Sequence, residues 1–191
     1  MSSGPLALAI EFGKLLESFN IAYALGGSVA SSLLGEPRTT VDVDFAVRLD
    51  AVGLERIVEA TSAEFYVPLD SARASIEALS SFNLISNSTG LKIDVFVVGN
   101  NLLDRRQLER RCLMLVRREP RAELWVTSVE DQILRKLSWY RDGGEVPDRQ
   151  WRDIVGLLRT QQTILDFDDL RNAAIELELA DLLRRAETDL S

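Results

Sequence analysis

The chain contains no histidine and only one cysteine, Cys112. Histidine is the usual neutral general base and a common zinc ligand, so both roles must be filled by other residues or not at all. A single cysteine excludes an internal disulfide, and there is no CxxC pair for a zinc or redox site. Any proton acceptor or metal ligand in this chain is therefore expected to be a carboxylate.

Long hydrophobic runs are absent as well. The N-terminal segment MSSGPLALAIEFGKLLESF has no positively charged start and mixes Glu11, Lys14 and Glu17 into its apolar pattern. This predicts an amphipathic helix and not a signal or membrane segment. With 191 residues, 46% of them hydrophobic, and no low-complexity linker, we expect a compact cytoplasmic protein with a sizeable core.

Positive charge is scarce overall, since the net charge is −8, which disfavours indiscriminate nucleic-acid binding. The arginines are concentrated between Arg105 and Arg121, where the net charge is +5, leaving −13 for the rest. Such a cluster is either a basic patch for an RNA substrate or a solvated helix face. No aromatic residues are interleaved with the arginines to stack on bases.

Two aspartates lie one residue apart in DVDFAV, residues 42–47. If this segment is a strand, Val43, Phe45 and Val47 face a core while Asp42 and Asp44 point together to the other side. Two carboxylates on one face repel each other unless a cation lies between them. Oxygen ligands of this kind favour a hard divalent cation, and Mg²⁺ fits best.

A third acid is set into the strand pattern LKIDVFVV, residues 91–98. Its alternation places Lys92, Asp94 and Phe96 on one face of a mostly buried strand. A buried charge needs a partner. We therefore expect Asp94 to lie beside Asp42 and Asp44 and to complete a metal site.

The glycines Gly26 and Gly27 end the apolar run IAYAL, and SVASSLL then predicts a short helix with Ser28 in its first turn. Free backbone N–H groups at such a helix start bind phosphate. A lone GGS is most often a tight turn, and a lone DxD is most often a solvated strand end. The combination of both with Asp94 favours a nucleotide and metal site.

These motifs, GGS, then PRTTVDVDF, then KIDVFV, resemble the nucleotidyltransferase fold of the DNA polymerase β superfamily. Within it the chain is similar to the AbiE-type (AbiEii-like) toxin nucleotidyltransferases, on the basis of Arg38 with Thr39 or Thr40 and of the later segments SVEDQILRKLSWY and DRQWRDIVGLL. The resemblance implies an α+β protein with a mixed β-sheet flanked by helices. Residues 1–126 would form the nucleotidyltransferase core with its N-terminal helix, and residues 127–191 a C-terminal helical lobe.

The resemblance also implies an activity, the transfer of a nucleoside monophosphate from an NTP to an acceptor hydroxyl with release of pyrophosphate. Asp42 and Asp44 would hold two Mg²⁺ ions, and Asp94 would complete the acceptor-side ion and help to deprotonate the nucleophile. Arg38 and Lys136 would neutralise developing charge. The implied catalytic set is Asp42, Asp44, Asp94 and Lys136, and the implied nucleotide-binding set is Gly26, Gly27, Ser28, Arg38, Lys136 and Asp153.

Lys136 and Asp153 also have plainer interpretations. Thr127 followed by Glu130 forms a capping pattern that predicts a helix start, and Lys136 flanks the apolar stripe of that helix. A charged residue in this position is commonly a solvated flank residue. Asp153 follows Arg149 by four residues, so the two could form an ordinary helix-surface ion pair.

The acceptor is left open by the sequence. By resemblance to the toxin-type enzymes it would be a tRNA end or another RNA, with an antitoxin protein restraining the activity. One alternative is a small-molecule nucleotidyltransferase that acts on an antibiotic-like hydroxyl. Another is a catalytically silent member of the fold that serves as a binding or regulatory subunit.

Overall fold

A computed structural model of the protein describes residues 4–35, 39–146 and 148–190, without the side chain of Asp148. The elements in chain order are α1 (Pro5–Ser18), β1 (Tyr23–Leu25), α2 (Gly27–Leu34), β2 (Asp42–Val47), α3 (Ala51–Thr61), β3 (Phe65–Tyr66), α4 (Leu69–Glu77), β4 (Ser81–Ser86), β5 (Lys92–Val97), α5 (Leu102–Glu109), β6 (Cys112–Arg117), β7 (Ala122–Val126), α6 (Val129–Asp142), α7 (Asp148–Thr160), α8 (Phe167–Glu176) and α9 (Ala180–Thr188).

Within these residues the strands form one seven-stranded mixed sheet, in the order β3-β4-β5-β2-β1-β7-β6. The pairs β2–β5 and β1–β7 are parallel and the remaining neighbours are antiparallel. Helices flank the sheet, so the expected α+β class is confirmed. The strands and helices predicted around the GGS and DxD motifs are present.

The apolar face of the sheet carries the main core. On β2 and β5 the residues facing this side are fully or almost fully buried, and on both strands they alternate with the half-buried acids. Helix α1 packs on this face, where the rings of Phe12 and Phe45 meet edge to face at 5.2 Å. Aromatic pairs of this geometry add to the stabilisation from buried apolar area.

The opposite face, which carries the acids, is covered only in part. Ala24, Ala46, Val98 and Leu108 form a small second apolar cluster between the sheet and α5. Further along, Phe96 of β5 packs against Trp139 of α6, with ring centroids 5.5 Å apart. Between these contacts a cleft of about 270 Å³ remains, and it borders the start of α2 and Asp44.

Helix α6 begins one residue later than its capping pattern indicates. Its N-cap is Ser128, whose hydroxyl accepts a hydrogen bond from the backbone N–H of Asp131 at 3.1 Å. Thr127 is buried before the helix, and Glu130 instead accepts from the backbone N–H of Asp166. The main core continues from the sheet into the C-terminal helices. The division at residue 126 stays a prediction.

Part of the arginine cluster is used inside the protein. Arg106 donates to the fully buried Asp131 at 2.6 Å and to Asp169 at 2.5 Å, and Arg110 lies 2.9 Å from Asp169. These contacts join α5 to α6 and α8. They turn two of the arginines toward acids of the C-terminal helices, where their charge is neutralised within the fold.

In the described ranges, each helix is too short or too polar to span a membrane.

Candidate active site

The parallel pairing of β2 and β5 determines the geometry of the acids. In the observed register Asp44 lies opposite Asp94, and Asp42 lies opposite Lys92. Because side chains of paired residues project to the same face, the structure brings the three predicted carboxylates onto one face of the sheet. Asp94 is more enclosed than Asp42, since 19% of the Asp94 side chain is exposed against 45% of the Asp42 side chain.

The glycine-serine turn lies directly against Asp44. The backbone N–H of Gly26 donates to the backbone carbonyl of Asp44 at 2.9 Å. The backbone N–H of Ser28 hydrogen-bonds to the Asp44 carboxylate and lowers its pKa. The predicted phosphate turn and the DxD strand are therefore neighbours, and one amide at the start of α2 binds a carboxylate in this state.

No residue other than glycine fits at position 27 without strain. The φ of Gly27, +58°, lies in the left-handed region, and a Cβ added there would lie 1.8 Å from Oδ2 of Asp44. Its carbonyl accepts hydrogen bonds from Gln132 Nε2 at 2.7 Å and from Ser31 Oγ at 2.9 Å. Gln132 is 1% exposed and lies on α6, so this helix holds the turn in place.

Lys92 supplies positive charge to the acid face. Its ammonium lies 3.0 Å from Asp94 Oδ2 and 3.9 Å from Asp42 Oδ1. The hydrogen bond to Asp94, opposed by a smaller effect of burial, raises the pKa of Lys92 above its ordinary value. Lys92 is therefore charged across the physiological range.

The carboxyl group of Asp44 has a raised pKa. Burial first, and then the charge of Asp94, raise its pKa from 3.8 to about 6. The Ser28 amide and the positive charge of Lys136 act in the opposite direction. Burial and the neighbouring charge of Asp94 thus disfavour the ionised form of Asp44, and a cation bound beside it would stabilise that form.

Lys136 is not a solvated flank residue, so that interpretation is wrong. It is 1% exposed, and its ammonium donates to Asp153 Oδ2 at 2.7 Å and to Gln150 Oε1 at 3.2 Å. The contact joins α6 to α7, because the helices pack with this face of α6 inward. Asp153 therefore pairs with Lys136, in place of the proposed surface pair with Arg149.

The donor chemistry of the three acids fits a hard divalent cation. The fit is incomplete in geometry, because no three Asp, Glu or Cys side chains in the described ranges are grouped closely enough to hold a metal ion. Asp44 and Asp94 would hold such an ion between the paired strands, and Asp42 would have to turn away from Lys92 to join them. Arg38 lies outside the described residues.

Two contributors to the site were missed by the sequence analysis. Gln132 lies 105 residues from Gly27, and no local pattern indicates that the two touch. Arg135, which hydrogen-bonds to Asp104 and Gln107, forms a wall of the cleft together with them. The face of α6 that carries both residues could have been found only from the packing of α6 on the sheet.

No protein-family model matches the sequence, and no curated protein is significantly similar to it. Solved structures do resemble the fold. A nucleotidyltransferase-like antigenic protein from Paracoccidioides brasiliensis is 18% identical with a TM-score of 0.56, and the match covers 96% of this chain and 93% of that one.

Two further structures show the same similarity. The antibiotic-resistance factor ANT(2'')-Ia has a TM-score of 0.58 at 18% identity, over 96% of each chain. The lincosamide antibiotic adenylyltransferase LnuA, with lincomycin bound, has a TM-score of 0.51 at 15% identity, over 81% of this chain and 94% of that one. At such low identity the likeness concerns the fold, and the chain has the nucleotidyltransferase fold.

The first prediction concerns the phosphate turn. Gly27→Ala should be less stable than Gly144→Ala by about 1 to 3 kcal/mol, the usual cost of overpacking. Gly144 is a matched control because it also has a positive φ, +71°, but nothing lies within 4 Å of an added Cβ. Urea denaturation measures the difference. Equal losses in the two variants would contradict the close approach of Gly27 to Asp44.

The second prediction concerns pH. Since the folded-state pKa of Asp44 is raised to about 6 from 3.8, the stabilisation from its neutral form is complete below 3.8 and is lost as the pH rises through 6. Asp44→Asn keeps a neutral side chain. At neutral pH the free energy of unfolding of this variant should exceed that of the wild type by up to about 3 kcal/mol, because one pKa unit corresponds to about 1.4 kcal/mol.

This difference should disappear under acidic conditions. Denaturation of both proteins across the pH range tests it, with the exposed Asp70→Asn as the control. A constant difference at all pH values would show that ionisation of Asp44 is not its cause.

The third prediction concerns Lys136. Lys136→Met should cost about 3 to 5 kcal/mol, because it removes the ammonium that binds the Asp153 carboxylate in a largely buried contact. The double change Lys136→Met and Asp153→Leu should recover most of this loss, since apolar groups can replace a buried pair. Lys14→Met, on an exposed lysine, is the control for urea denaturation. A stable single variant would contradict the buried pair.

Proposed function

We propose that the protein is a nucleotidyltransferase that moves a nucleoside monophosphate from an NTP to a hydroxyl of a small molecule. The observation that carries the proposal is the contact between the phosphate turn and the acid face, where Gly27 and Ser28 touch Asp44 and Asp94 lies opposite in register. Phosphate-binding amides beside paired carboxylates are the arrangement that phosphoryl transfer with divalent cations needs.

The phosphates would be positioned by the start of α2. Backbone N–H groups at this end of the helix favour anions, and Gln132 fixes the turn through the Gly27 carbonyl at 2.7 Å. The Ser28 amide would pass from the Asp44 carboxylate to a phosphate oxygen. Arg38 is proposed to neutralise phosphate charge. Lys136, which is buried and bound to Asp153, is proposed to contribute its positive charge, which also acts on Asp44.

In the chemical step the acceptor oxygen attacks the α-phosphorus, the bond to the bridging oxygen breaks and pyrophosphate leaves. Asp94 would take the proton from the hydroxyl, since it is the acid on the strand away from the phosphate turn. Two Mg²⁺ ions held by Asp42, Asp44 and Asp94 would neutralise the phosphates and acidify the hydroxyl when bound.

The cleft favours a compact acceptor. It measures about 270 Å³, and its lining includes Asp44, Phe96, Asp104, Arg135 and Trp139. Two aromatic side chains among several polar groups offer a small organic molecule both apolar contact area and hydrogen-bond partners. LnuA and ANT(2'')-Ia, whose described roles concern antibiotics, share this fold over most of the chain.

An RNA acceptor, with an antitoxin partner, is the second candidate, and it rests on the resemblance of the motifs around Arg38, Lys136 and Asp153 to those of AbiE-type toxins. The structure offers less for it, because Arg106 and Arg110 bind acids of α6 and α8 and do not form an open basic track. Backbone binding of a polynucleotide depends on such a track.

The fourth prediction is the test of this function. Each NTP, labelled at its α-phosphate, is incubated with the protein, Mg²⁺ and either a panel of hydroxyl-bearing small molecules, including antibiotics, or total cell RNA. Label should enter a small molecule, with an equal amount of pyrophosphate released. Asp94→Asn should reduce the rate at least about 100-fold, as expected for loss of a general base, while the exposed Asp70→Asn should not.

The other outcomes are distinct. Label found only in RNA would replace the small-molecule proposal with the toxin-type activity. Label in neither fraction, from protein that still binds Mg·NTP by calorimetry, would identify a catalytically silent binding or regulatory member of the fold.

A further inference from the structure

Lys92 occupies a particular position on the acid face. It precedes Asp94 by two residues on β5 and lies opposite Asp42 of β2, so all three side chains share one face. The ammonium is 3.0 Å from Asp94 and 3.9 Å from Asp42. It therefore lies between carboxylates of two neighbouring strands, where a cation held by both would also lie.

This placement accounts for the incomplete metal geometry. The acids are on one face, yet no three of the carboxylates in the described ranges are grouped to hold a metal ion. Lys92 attracts Asp94 and Asp42 to its own ammonium, whereas Asp44 is stabilised by the Ser28 amide and by the charge of Lys136. These two ammonium groups compensate the charge of the three carboxylates only in part.

Lys92 is also well suited to leave. Its side chain is 35% exposed, in contrast to the buried Lys136. The flexible four-carbon stem of a lysine also allows the ammonium to move to another position. Departure of the ammonium would free two carboxylates at once. The phosphates of a nucleotide that binds at the start of α2 would supply oxygen ligands for a divalent ion. They would also give the Lys92 ammonium a new anionic partner.

We propose that Lys92 is a built-in counter-ion that occupies the cation position of the site until nucleotide arrives, so that a divalent cation binds weakly alone and tightly together with NTP. The inference rests on the proposed function, because it assigns the acids to metal binding. Lys92 is here a positioning residue, which acts through Asp94 and Asp42.

The fifth prediction follows from competition between like charges. Removal of the ammonium in Lys92→Met should tighten binding of Mn²⁺ alone at least about tenfold, because a cation in the site no longer meets a positive charge a few ångströms away. Lys92→Arg keeps the charge and should bind Mn²⁺ as weakly as the wild type. Lys14→Met, on helix α1, should also match the wild type.

The measurement is calorimetric titration of each protein with Mn²⁺ in the absence of nucleotide, with thermal unfolding as a second readout. In a chelating buffer Lys92→Met should unfold at a lower temperature than the wild type, because the acids lose their counter-ion. Added Mn²⁺ should raise its unfolding temperature more than that of the wild type or Lys92→Arg.

Equal Mn²⁺ affinity in Lys92→Met and the wild type would overturn the proposal and leave Lys92 as a structural ion-pair residue. Separate titrations of the wild type with the Mn²⁺ complexes of ATP, CTP, GTP and UTP distinguish this from failure of the proposed function. If none of the four binds, the nucleotidyltransferase assignment is wrong, whereas binding of any one of them with unchanged Mn²⁺ affinity in the variant rejects only the role of Lys92.

Discussion

The in-register parallel pairing of β2 with β5 is the constraint on which the site depends. It places Asp44 directly opposite Asp94, and two carboxylates held this way repel each other at any separation that the sheet allows. The remaining features of the site reduce that cost. The Ser28 amide binds Asp44, Lys92 binds Asp94, and Lys136 contributes its charge from α6.

The negative charge of Asp44 is only partly stabilised by its neighbours, and the pKa of its carboxyl group is therefore raised. A carboxyl group with a pKa near 6 is a group that the fold holds ionised at a cost in free energy. Burial of the apolar side of the same strands, where Val43 and Phe45 are completely enclosed, offsets this cost. Packing of the core fixes the register of β2 against β5, and this register holds the carboxylates of Asp44 and Asp94 close enough to repel each other.

Helix α6 connects this site to the rest of the molecule. Gln132 holds the phosphate turn, Lys136 binds Asp153 of α7, and Asp131 binds Arg106 of α5. The three side chains lie within two turns of one helix. A shift of α6 on the sheet would change the phosphate turn, the buried ion pair and the wall of the cleft together, so these features are mechanically coupled.

The local elements were predictable because their signals are periodic and short in range. The alternation in DVDFAV and KIDVFV gave the strands, their buried faces and the common face of Asp42, Asp44 and Asp94. Gly26 and Gly27 likewise marked the start of α2. The cap of α6 was misplaced by one residue, since Thr127 and Ser128 are both good capping residues and only the backbone conformation selects Ser128.

By itself, then, the sequence determined the two strands that carry the acids, the turn at Gly27 and the set of acids that project from one face. The partners of the charged residues were decided by tertiary structure. Lys136 and Asp153 are 17 residues apart, and Arg106 and Asp169 are 63 apart. Such pairs are selected by how helices pack over the sheet. Packing depends on the shape of the whole core, which no local spacing of residues encodes.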